Sequence, residues 1–80
     1  MKHSSIIVRA AWDEEAEVWV ASSKDVDGLA LEAETIETLE KKVVAAIGDL
    51  LEVNGQVFEL PEIPVHIMSE HLAKVPNPRF

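Results

Sequence analysis

At Thr35 the apolar residues of this chain stop alternating and begin to recur at intervals of three and four. Before that point, Ser5–Trp12 and Val18–Ser22 flank the acidic stretch Asp13–Glu17, and Leu29–Ala33 forms a third, short run. A spacing of two sends successive side chains to opposite faces of a strand, so these runs predict three strands, with Asp13–Glu17 as a hairpin loop. Asp25-Val26-Asp27-Gly28 predicts the turn into the third strand, because Asp and Gly supply local hydrogen bonding and a permissive backbone.

The change of spacing predicts a helix from Ile36 to Val53. Ile36, Leu39, Val43, Ile47, Leu50 and Leu51 form a broad apolar stripe suited to covering a sheet. Thr35 is placed to cap its first turn, and Asn54-Gly55 to end it with a left-handed residue. Gly48, inside the helix, costs about 1 kcal/mol relative to Ala, which suggests a close backbone approach to the sheet or to a second helix. Beyond Pro61 and Pro64, Val65–Leu72 alternates again and predicts a fourth strand. A crossover through a helix of this length suits a parallel partner, and in a meander that partner is the first strand. The expected fold is therefore α+β, in the order ββ-β-α-β, with a mixed four-stranded sheet ordered 3-2-1-4 and the helix on one face. A right-handed crossover is expected. Residues 1–75 read as one domain and 76–80 as a C-terminal tail.

Which residues share a face depends on the register of the first hairpin. Pairing Trp12 with Val18 puts Val18 and Val20 beside Ile6 and Val8, under the helix. The other face then gathers Ile7, Arg9, Ala11, Trp19, Ala21, Ala30, His66 and Met68, an apolar set for a surface left to solvent. A slip of one residue would exchange these assignments. On this register the face is an expected contact site for a second copy or a partner protein, with Trp19 as its aromatic anchor.

Size and charge narrow the partners. An 80-residue chain buries only about 60% of its unfolded surface. With no cysteine, neither a disulfide nor a thiolate metal site can add stability. A homo-oligomer, dimer or larger, is expected on those grounds. The formal charge of −8 repels nucleic acid and attracts a basic protein. No apolar run reaches the length of a membrane span, and the residues before Ser5 hold no signal-peptide core, so a cytoplasmic protein is expected.

Trp19-Val20-Ala21, Asp25-Val26-Asp27-Gly28-Leu29, Glu32-Ala33-Glu34-Thr35 and Glu37-Thr38-Leu39 together resemble the core pattern of HicB-like antitoxins. The likeness is greatest to a branch of short bacterial proteins of that superfamily and covers roughly Ile6 to Leu51. It implies a partial ribonuclease H-like fold and an antitoxin role, with a small basic ribonuclease toxin as partner. Complete members also carry a C-terminal DNA-binding region that represses their own operon. Here only a short proline-containing tail follows the fourth strand, so repression by this chain is not expected.

Catalysis finds little support in the residues. A nuclease of the ribonuclease H type needs carboxylates converging on metal ions, beginning within the first strand. That strand, Ile6–Ala11, contains no acid, and Asp13, Glu14, Glu15 and Glu17 read as a solvated turn. His66 and His71 are five apart and face opposite sides of a strand, while His3 is near the terminus, so no metal site and no cofactor is expected. A protein-interaction module is the favoured reading. A stand-alone oligomerising domain is the alternative, and a degenerate or cryptic nuclease is less favoured.

Overall fold

The computed structural model describes residues 5–58 and 61–80. Alternation becomes structure in β1 (Ile6–Asp13), where Ile6, Val8 and Ala10 are fully buried while Ile7, Arg9 and Ala11 are exposed. Next come β2 (Val18–Ser22), β3 (Ala30–Ala33), the helix α1 (Ile36–Asn54) and β4 (Val65–Glu70). The sheet order is β3-β2-β1-β4. β1–β2 and β2–β3 pair antiparallel, and β1–β4 pair in parallel. The chain is thus an α+β domain with the expected topology.

α1 forms where the spacing switches. Thr35 is extended and its hydroxyl accepts from the Thr38 backbone N–H at 3.1 Å, satisfying one of the helix's free first-turn donors. At the other end Gly55 is left-handed, with φ 68°. Its N–H donates to the Glu52 carbonyl and that of Gln56 to Leu51, the paired bonds of a Schellman ending. Leu39, Val43, Ile47 and Leu51 are buried, flanked by half-buried Ile36 and Leu50. They cover the β1 face of Ile6, Val8 and Ala10 together with Ala21 and Ala33. Small residues at Ala10, Ala21 and Ala33 leave room for the larger helix side chains.

The segment between β2 and β3 completes the core. Val26 is fully buried and Leu29 nearly so. Asn54 Nδ2 donates to the Asp27 carbonyl and Gln56 Nε2 to that of Asp25, both at 3.0 Å, tying this loop to the helix C-terminus. Gly28 has φ 87°, and an added Cβ would also meet Leu50 Cδ2 at 3.5 Å. On the far side of the sheet, Pro64 needs no N–H to extend the parallel pairing: its carbonyl accepts from Ile6 N at 2.9 Å.

Two expectations are corrected. The first hairpin pairs Trp12 with Trp19 and Asp13 with Val18, one residue away from the expected register. The loop is therefore Glu14–Glu17. Asp13 Oδ1 accepts from the Glu15 and Ala16 amides, and Glu17, left-handed at φ 56°, donates its N–H to the Asp13 carbonyl at 2.8 Å. The slip moves Trp19 and Ala21 to the helix side and Val18 and Val20 to the other. Gly48 is also not a contact point, since an added Cβ would find nothing within 4 Å.

Ile47→Ala should lower unfolding free energy by about 2–5 kcal/mol, because the emptied position lies between helix and sheet. Gly48→Ala should raise it by about 1 kcal/mol, since the new methyl meets no neighbour and the helix gains propensity. Urea denaturation followed by circular dichroism measures both. A midpoint that does not move for Ile47→Ala, or falls for Gly48→Ala, contradicts this account of α1.

Candidate functional site

A single helix covers one side of the sheet, and the register decides what remains on the other. Ile7, Arg9 and Ala11 of β1 lie there beside His66 and Met68 of β4, with Val20 of β2 and Ala30 of β3. Six of the eight residues expected on this face are therefore brought together: Ile7, Arg9, Ala11, Ala30, His66 and Met68. Trp19 and Ala21 are not. Ala21 is fully buried under α1, and Trp19 packs against the core. Val20, expected under the helix, takes their place on the uncovered face, where Ile7, Val20 and Met68 are 44%, 37% and 48% exposed.

Apolar and charged side chains are interleaved on this face, with Arg9 between Ile7 and Ala11 along β1 and opposite Met68 of β4. Arg9 Nη1 donates to Glu70 Oε1 at 3.1 Å across the β1–β4 pair, with both side chains largely in solvent. An ion pair so exposed contributes little stability, about 0–1 kcal/mol, and serves mainly to hold Arg9 along the sheet. Towards the start of β1 the face runs into a depression lined by Ile7, Arg9, Ser22, Ser23, Lys24 and Asp25. The polar residues there have structural duties. β2 ends at Ser22, opposite Arg9, so on that side the Ile7 backbone has no strand beside it. Asp25 Oδ2 accepts from the Ile7 N–H at 2.9 Å, and Ser23 Oγ donates to the Ile7 carbonyl at 2.6 Å. The acidic turn thus supplies the hydrogen bonds a longer β2 would have made.

Aromatic residues collect on the helix side, beyond the N-terminus of α1. Trp12 and Trp19 meet edge to face at 5.4 Å, and the His71 ring sits 5.9 Å from each. Trp19 is therefore an anchor within the fold, holding the residue that follows β4. The histidines stay apart: His66 lies on the uncovered face and His71 among the tryptophans, while His3 lies outside the described residues. No group of three or more His, Cys, Asp or Glu side chains that could hold a metal forms among the described residues. Asp13, the acid at the end of β1, is committed to its turn. No helix among the described residues is long and apolar enough to cross a membrane.

Asp25→Ala removes the acceptor for the Ile7 amide. Amide hydrogen exchange at Ile7 should accelerate while Val43 keeps its rate, with a stability loss of about 1 kcal/mol. An unchanged Ile7 rate would mean that this bond does not order the edge of β1.

Against known proteins, the chain is similar to the hypothetical protein TTHA1013 of the extremely thermophilic bacterium Thermus thermophilus, known from a crystal structure. The two share 45% sequence identity and superpose with a TM-score of 0.71, over 89% of this chain and 96% of that one. No curated protein shows a match. Residues 5–76 match the family described as a domain of unknown function, DUF1902, and the chain belongs to that family.

Proposed function

We propose that this chain is a non-catalytic protein-interaction module whose binding surface is the uncovered sheet face. The observation that carries the reading is the exposure of Ile7, Val20 and Met68 together on a face that α1 cannot reach. Exposed apolar side chains gathered on one face ordinarily mark a contact with another molecule. The formal charge of −8 favours a basic protein as partner and disfavours nucleic acid. Together with the HicB-like pattern, the most concrete form of the reading is an antitoxin-type inhibitor of a small basic ribonuclease. A stand-alone oligomerising domain is the second reading, favoured by the scant burial available to 80 residues without a disulfide.

Co-expression with a small basic protein encoded beside it tests the antitoxin form. A stable complex and relief of growth arrest are expected, and Met68→Glu should abolish both while leaving the helical circular dichroism unchanged. No complex, or growth arrest that persists, would overturn the toxin partner. Calorimetric titration with magnesium or manganese should give no binding heat. A saturable heat accompanied by RNA cleavage would replace this reading with a nuclease.

A further inference from the structure

β4 ends at Glu70, and the chain continues as an arm whose first residues, Leu72–Lys74, border a depression with Trp12 and Glu14. All residues from His71 to Phe80 are exposed, among them the apolar side chains Leu72 (77%), Val75 (85%) and Phe80 (109%). Beyond the His71 ring contacts, the arm's hydrogen bonds among the described residues are local. Arg79 N donates to Asn77 Oδ1 and Phe80 N to the Asn77 carbonyl. The molecule measures 54 × 23 × 18 Å with a radius of gyration of 15.5 Å, where a compact chain of this length has about 12 Å.

The arm and the body are opposite in charge. The arm holds Lys74 and Arg79 and no acid, a formal +2, whereas residues 1–70 hold all fifteen acids and the other five bases, a formal −10. Pro76 and Pro78, the latter within the turn closed by the Phe80 N–H onto the Asn77 carbonyl, restrict the arm's backbone and reduce the entropy lost when it docks. They also remove two backbone donors, so the arm suits a strap laid across a surface better than a new strand in a ladder.

We propose that Leu72–Phe80 of one copy docks across the uncovered sheet face of a second copy, and that the reciprocal exchange closes a dimer. Leu72, Val75 and Phe80 supply apolar contacts to Ile7, Val20 and Met68, while Lys74 and Arg79 meet the carboxylates Glu32 and Glu70 that the same face carries beside Val20 and Ala11. The arm does not cover its own copy's face, since Leu72, Val75 and Phe80 stay exposed along with Ile7, Val20 and Met68. β4 runs parallel to β1, so the chain leaves the sheet at the hairpin end, and His71 is held there by Trp12 and Trp19. Folding back onto that face would require a reversal immediately after His71. The proposal rests on reading this face as a contact surface, and it names a second copy as the occupant in place of a basic protein.

Sedimentation equilibrium on the full chain, a chain ending at His71, and Met68→Glu tests it. The full chain should have the mass of two copies, and both variants the mass of one, with helical circular dichroism retained. Because the chain has no cysteine, Val75→Cys and Val20→Cys chains can then be mixed under mild oxidation. The expected product is a disulfide joining position 75 of one chain to position 20 of the other, in excess over either like pair. A full chain that stays monomeric overturns the proposal. So does a shortened chain that remains dimeric, or a statistical mixture of disulfides. If Met68→Glu alone breaks the dimer, the face is a contact surface and only the arm is wrong. If neither variant changes a dimeric mass, the reading of the face falls as well.

Discussion

The apolar stripe of α1 lies over one face of the sheet, and most other features follow from the one-sidedness of that contact. Leu39, Val43, Ile47 and Leu51 give up water against Ile6, Val8, Ala10, Ala21 and Ala33. Each buried helix side chain contributes on the order of 1.5–3 kcal/mol before the entropy of ordering is counted. Among the described residues no second layer covers the opposite face. The fold therefore completes its core and exposes an apolar surface in the same step.

Charged residues support this arrangement in places where acidic clusters suggest chemistry. Asp13 takes two amides of the hairpin loop, and Asp25 takes the Ile7 amide that a short β2 leaves without a partner. Asn54 and Gln56, at the end of the helix, hold the carbonyls of Asp27 and Asp25. These bonds join the loop before β3 to the C-terminal end of α1 and close that end of the core over Val26. Their role is to satisfy backbone groups that the sheet cannot.

The opposite end is closed by rings. Trp12, Trp19 and His71 pack beyond the first turn of α1, where the sheet outruns the helix. That cluster fixes where the chain leaves the sheet, and so where the basic, apolar arm begins. An acidic body with one apolar face and a basic arm of matching character are complementary parts, which is the physical ground for joining them between copies.

Much of this was legible in the residues. The change of spacing at Thr35, the cap and stop of the helix, the two prolines before β4 and the length of the crossover lead to the α+β topology without coordinates. Local chemistry and hydrophobic period decide those features. The hairpin register is different, because a slip of one residue keeps every local preference and exchanges the two faces. It rests on Asp13 closing a four-residue loop with Glu17 left-handed, a conformation that glycine or asparagine would have advertised and glutamate does not. For that reason local pattern places Trp19 on the contact face and Val20 in the core, whereas the pairing exchanges them. Gly48 likewise implied a close neighbour that the packing does not supply. Sequence alone determined which elements form and in what order they pair. Tertiary structure decided which side chains each face presents, because that choice depends on a long-range pairing no single segment encodes.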